Sequence, residues 1–314
     1  RLGAPLFPAL LACFKIVSGD IGFHIATGRA IGFLGEVPRE NVLSFAQPNH
    51  TWVLHQWLPA LLFERVDATL GAGALVGVKV AVIYVTFLLL WLAMEKRTEG
   101  KGLWLPLLWF ALAASAAACR FYVRPYIFSL LGMAVFLYLA ADYQRTGKVG
   151  RLIIAAVATG IFATLHAGVV YILLLFLSLA AAGVLAAAIS RWEPAAIRVA
   201  AVACGSFVAA VVLAATATAI ESPWGIEALT LPFRFSTNEY FHAHLVEFRP
   251  PPFNLELFPF YWLLLASGGC FLLARLFRSF TNRRSNPGWF PLLFEGIALL
   301  GFGYLSLKHQ RIVF

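Results

Sequence analysis

The residues best equipped for chemistry stand directly after the first apolar segment, in "GDIGFHIATGRAIGFLGEVPRENVLSF" from Gly19. Folded as a helix, this stretch places Asp20, His24 and Thr27 on one face, at i, i+4 and i+7, and Phe23, Ala26, Ala30 and Phe33 on another. Such a helix lies at a membrane surface with its polar stripe turned away from lipid. A carboxylate there can take the proton of an attacking hydroxyl. Cations nearby can hold charge that develops on a leaving group. The candidates for that second task are Arg120, Arg124 and Arg311, at the ends of apolar runs, and Lys79, about two turns inside one. An ionisable residue at such depth is a functional candidate by default.

Each of these has a plainer reading beside the chemical one. Asp20 can cap the surface helix, Lys79 can snorkel toward headgroups, and the arginines can contact anionic lipid. Arg124 gains weight from Pro125, which favours an extended backbone at a span entrance. Glu247 precedes Phe248 and a stiff Pro250–Pro252 run that can hold a carboxylate over a pocket, or it can pair with Arg249. His50 and His55 lack the tight spacing on a firm element that zinc sites show, so no fixed metal is expected. Cys13, Cys119, Cys204 and Cys270 lie in or beside apolar runs, with neither metal-ligand spacing nor a disulfide framework.

The elements that must position these residues are membrane helices. The chain is 61% hydrophobic and only 12% charged, with a mean hydropathy of +0.82, against roughly 25% charged residues in soluble domains. The net charge of +9 would suit nucleic acid in a soluble protein. Here the basic residues sit mostly in short loops and no nucleic-acid motif accompanies them, so they read as topology with some attraction to anionic lipid. Nine apolar runs predict an all-α polytopic protein: 2–18, 71–94, 102–119, 125–141, 152–165, 168–189, 197–219, 257–277 and 288–306. The fifth and sixth, parted only by the His166–Gly168 break, have a single re-entrant element as their alternative.

Lys96, Arg97, Arg145, Lys148, Arg151, Arg191, Arg198 and Arg275 fall on one side, which the positive-inside rule makes cytoplasmic together with the N-terminus. The outer side receives two long loops, 19–70 and 220–256, with all seven histidines and ten of the fifteen acids. Chemistry is therefore expected on the outer face, over juxtamembrane helices, with the cytoplasmic loops as connectors. Residues 1–314 read as one transmembrane domain, and the short first run and the ending "KHQRIVF" suggest truncation at one or both ends.

Taken in order, these marks resemble a known family. Asp20, His24, Gly28, Gly35-Glu36-Val37-Pro38, Ser44-Phe45, and Trp52 with His55-Gln56-Trp57-Leu58 resemble the first outer loop of GT-C-type glycosyltransferases, in particular the bacterial lipid- and protein-modifying members. "RPYIFSLLGMAVFLYL" from Arg124, "LHAG" at 165–168, "SPWG" at 222–225, "VEFRPPPF" from Val246 and "KHQRIVF" continue it along nearly the whole chain.

The resemblance implies inverting transfer of a sugar from a polyprenyl-phosphate donor to an acceptor at the outer, periplasmic face of a bacterial inner membrane. Asp20 would be the base, with Arg124 and Arg311 on the phosphate and Arg120, Lys79, His24, His55 and Glu247 as further substrate contacts. Some relatives use a divalent cation, the one cofactor this leaves open. Gln56 departs from the pattern, since many relatives carry an acid there. That departure keeps a non-catalytic subunit of a larger membrane complex as the alternative. A transporter of a lipid-linked substrate ranks behind it, because midplane polar residues and paired repeats are scarce.

Overall fold

A computed structural model describes residues 3–45, 50–98, 104–245, 259–281 and 289–308. Among them the fold is helical, with one isolated antiparallel bridge between Glu40 and Thr51. The helices are α1 (Leu6–Ala12), α2 (Asp20–Leu34), α3 (Trp57–Leu70), α4 (Ala72–Thr98), α5 (Trp104–Ala117), α6 (Tyr126–Thr146), α7 (Gly150–Leu165), α8 (Val169–Ile189), α9 (Pro194–Glu221), α10 (Glu227–Ser236), α11 (Glu239–His244), α12 (Pro259–Thr281) and α13 (Trp289–Lys308).

Six of them, α4, α6, α8, α9, α12 and α13, are long and apolar enough to cross a membrane. This is the build of a polytopic helical membrane protein. The remaining apolar runs are shorter. Helix α5 has 14 residues and α7 has 16, about 21 and 24 Å at 1.5 Å per residue. The fifth and sixth runs are two separate helices. Arg151, at the start of α7, pairs with Asp142 near the end of α6, while His166, just past its end, meets Ser129 near the start of α6. Helix α7 thus runs back along α6.

The first run, expected as one span over 2–18, holds only the seven-residue helix α1. From Cys13 to Ser18 the backbone is irregular. Non-helical backbone is tolerated at membrane depth where protein satisfies its polar groups or where it borders a polar cavity. Two contacts here are of these kinds. Lys79 Nζ, from inside α4, donates to the Phe14 carbonyl at 3.0 Å, and Ser18 borders the cleft described below.

Helices α2 and α3 pack as a hairpin beside α4. Their approach depends on Gly28: a Cβ there would lie 2.4 Å from the Ala60 carbonyl oxygen and 2.6 Å from Glu64 Cβ. Apolar packing is shared among three clusters. One joins α6, α7, α8, α9 and α13 around Phe136, Phe176 and Phe294. A second joins α1, α4 and α5 around Phe87, Trp91 and Phe121. The third sets Ile21 and Phe63 of the hairpin against Leu75, Ile127 and Phe128.

The ends of α6 carry different chemistry. Asp142 is buried and pairs with Lys96 of α4 at 2.6 Å, Arg151 of α7 at 2.6 Å and Arg145 at 3.3 Å. Glu295 of α13 pairs with Arg97 of α4 and Arg275 of α12. Glu295 thus joins α13 to two other helices. The basic residues of this end are thus more than connectors, since through them two acids join α4, α6, α7, α12 and α13.

Candidate functional site

At the other end of α6 the chain reads Arg120-Phe121-Tyr122-Val123-Arg124, between a 3-10 turn at Ala118–Arg120 and Pro125. Its side chains alternate. Phe121 is fully buried in the α1–α4–α5 cluster and Val123 lies in the hairpin cluster. Period-two alternation along a non-helical segment sends the even-numbered residues the other way, and Arg120, Tyr122 and Arg124 all border one cleft. Its remaining lining is Val17, Ser18, Gly19 and Cys119, and its volume is about 430 Å³. Pockets that hold small ligands occupy roughly 300–1,000 Å³.

Asp20 stands at the rim. It is the first residue of α2, with Gly19 in the capping position and no side-chain capping bond. The capping alternative therefore does not describe it, although an acid in a first turn is favoured by the helix dipole. Instead its carboxylate meets Arg124 Nη2 at 2.7 Å. Arg124 also donates from Nε to Ser18 Oγ at 3.1 Å, and its guanidinium lies 5.6 Å from the Tyr122 ring. Arg120 lies 5.3 Å over the Tyr126 ring, and the Tyr126 hydroxyl accepts from the Tyr122 N–H at 3.3 Å. Asp20 keeps 55% of its side-chain surface exposed, against 23% for Arg124. Two guanidinium groups with one carboxylate leave a net positive cleft, suited to an anion.

Two expected contacts sit beneath this surface. The Asp20–His24–Thr27 stripe does not face outward as a unit, because His24 and Thr27 are buried. Thr27 Oγ1 donates to the Phe23 carbonyl at 2.8 Å, and His24 packs between Phe23 and Phe63 with ring centroids at 5.8 and 6.2 Å. Burial lowers His24 from 6.5 to about 4; Asp20 pulls it upward and Arg124 pushes it down. Its ring is neutral near pH 7.

Lys79 is also fully buried and borders no part of the cleft. Snorkelling does not describe it. The ammonium caps the carbonyl beyond α1 and lies 3.6 Å from the Phe14 ring centroid, and that ring stands edge-on to Tyr122 at 6.0 Å. Lys79 reaches the cleft only through those two rings.

His55 belongs to a second cluster. Its ring centroid lies 6.3 Å from that of His166. The Gly168 N–H donates to His166 Nδ1 at 2.9 Å, and Ser129 Oγ lies 2.8 Å from the same nitrogen. Nδ1 is thus the acceptor, which puts the proton of the neutral ring on Nε2. Gly168 permits this approach, since a Cβ there would lie 2.5 Å from Ser129 Oγ. A notch of about 10 Å³ beside His55 is lined by Trp57, Thr164, Thr218, Glu221 and Ser222. It has room for one water molecule and none for a sugar.

Of the expected site residues, the structure brings Asp20, Arg120 and Arg124 together and sets His24, Lys79 and His55 apart from their cleft. Glu247 and Arg311 lie outside the described residues. Among the described residues no group of three or more His, Cys, Asp or Glu side chains is placed to hold a metal ion. Tyr122, Tyr126 and Ser18 were not anticipated. The alternation of "RFYVR" was visible in the sequence and marks Tyr122; nothing local marks Ser18. Comparison with family models, with curated proteins and with solved structures gives no match.

Proposed function

We propose that this chain is a membrane glycosyltransferase of the GT-C type. In this reading it crosses a bacterial inner membrane about nine times. It transfers a sugar, with inversion, from a polyprenyl-phosphate donor to an acceptor hydroxyl at the outer face. The observation that carries the reading is the Asp20–Arg124 contact at the rim of a net positive cleft, which unites the acid and the cation that such a transfer needs.

The acceptor oxygen attacks the anomeric carbon and gives its proton to Asp20. The bond from that carbon to the phosphate oxygen breaks, and polyprenyl phosphate leaves with the electron pair. Arg124 and Arg120 offset the charge it gains. Inversion puts the incoming and leaving oxygens on opposite faces of the sugar. Asp20 and Arg124, 2.7 Å apart, cannot serve both faces while in contact. The sugar phosphate therefore enters between them, with phosphate drawn to the arginines and the hydroxyl to the carboxylate.

The same contact supports a second reading, a non-catalytic membrane subunit in which Asp20 and Arg124 merely clamp α2 to the α6 entrance. Sugar transfer by purified protein in lipid, over a panel of polyprenyl-phosphate sugars, separates the two. The enzyme releases polyprenyl phosphate, and Asp20→Asn lowers that rate by about 10²–10⁴-fold, the usual worth of a general base. Equal release by both proteins removes Asp20 from the chemistry. No release with any donor, from protein shown to be folded, favours the subunit.

A further inference from the structure

The ion-pair end of the molecule carries more positive charge than its acids neutralise. Three cations from three helices, Lys96, Arg145 and Arg151, converge on the single buried carboxylate of Asp142. Two more, Arg97 and Arg275, share Glu295, and Arg97 Nη2 also donates to Gln144 Oε1 at 2.8 Å, joining the two groups. Independent loop charges that only set topology would not need to meet. Here they meet beside the turn between α6 and α7, where Lys148 is exposed and Arg145 and Arg151 keep 56% and 40% of their side-chain surface.

We propose that Arg145, Lys148 and Arg151 form a binding site for the phosphate of an anionic phospholipid headgroup. Arg145 holds Asp142 at 3.3 Å, against 2.6 Å for each of the other two cations, so it is the partner most readily shared. A phosphate oxygen takes the exposed side of this trio without stripping Asp142 of Lys96. The neighbouring helices are apolar, which suits a ligand whose tails lie in the same bilayer. A headgroup bound there adds the missing negative charge to a cluster that already gathers α4, α6 and α7, and so tightens that end. The proposal does not depend on sugar transfer.

The test compares thermal unfolding of the purified chain in nanodiscs of phosphatidylcholine alone and of phosphatidylcholine with a minority of phosphatidylglycerol. The native protein gains several degrees from phosphatidylglycerol. The Arg145→Gln/Lys148→Gln variant keeps its midpoint in phosphatidylcholine and loses most of that gain, whereas Arg198→Gln, on another loop of the same end, retains it. The proposal is overturned if the native protein gains nothing, if the double variant gains as much as native, or if Arg198→Gln loses as much as the double variant. It is also overturned if soluble inorganic phosphate gives the same gain in phosphatidylcholine alone, because the ligand is then not a lipid. Should the double variant unfold early in phosphatidylcholine, Lys148→Gln alone, which breaks no ion pair to Asp142, supplies the comparison, with half or more of the gain lost as the expected result.

Discussion

His24 should make the α2–α3 hairpin sensitive to acid, and the size of the effect follows from its burial. In the fold it binds a proton only below about 4, against 6.5 when free. Between those values the unfolded chain is protonated at this site and the folded one is not, so stability falls as pH drops from 6.5 toward 4 and the loss is complete below that. At about 1.4 kcal/mol per pH unit the full penalty is about 3 kcal/mol. His24→Phe removes the titration while keeping a ring among Phe23 and Phe63. Unfolding followed by tryptophan fluorescence in detergent, between about pH 7 and about pH 4.5, should show the variant losing 2–3 kcal/mol less than native, by the same rough arithmetic. Parallel losses in the two proteins would refute the assignment of the acid response to this ring. Two variants check the cause. Asp20→Asn removes the group that raises His24 and should move the transition lower; Arg124→Gln removes a cation that lowers it and should move the transition higher.

Other outcomes test the packing and the cleft. Gly28→Ala presses a methyl onto the Ala60 carbonyl of a packed helix, and should cost about 1–3 kcal/mol in unfolding measurements. Lys79→Met leaves the Phe14 carbonyl without its donor; a loss of about 1–3 kcal/mol is expected, together with faster maleimide labelling of Cys119 in a variant lacking the other cysteines, as the Phe14–Tyr122 wall loosens. Arg124→Lys keeps the charge but not the fork that spans Ser18 and Asp20, so polyprenyl-phosphate binding, read by protection of Cys119 from the same label, should weaken about tenfold or more.

The long apolar helices were legible because hydropathy over some twenty residues is a strong signal. Length was not, where the chain breaks for reasons remote in sequence. Nothing in residues 2–18 announces that Lys79, 65 positions beyond Phe14, will accept custody of a carbonyl and let the backbone leave its helix. Asp20 and Arg124 were legible as separate candidates, an acid after a span and an arginine before a proline. Their contact was not, being a matter of how α2 meets the entrance to α6. The inward turn of His24 was hidden by composition: α2 carries apolar residues on every side, so spacing alone could not say which face α3 would cover. Asp142 escaped notice as a hub because an acid near the end of a span reads as one more interfacial charge.

Helix α4 is moored twice, by Lys79 to the chain after α1 and by Lys96 and Arg97 to the acids at its far end. A rod fastened at both ends has little freedom to tilt, and α6 shares one of its moorings. The α2–α3 hairpin is held to that frame mainly by apolar packing of Ile21 and Phe63 against Leu75, Ile127 and Phe128, while at its leading edge Asp20 holds to Arg124 through one half-exposed ion pair, a bond worth at most about 1 kcal/mol. That ion pair is the weakest of the hairpin's attachments, and the buried rings of Phe63 and Phe128 behind it are the firm one.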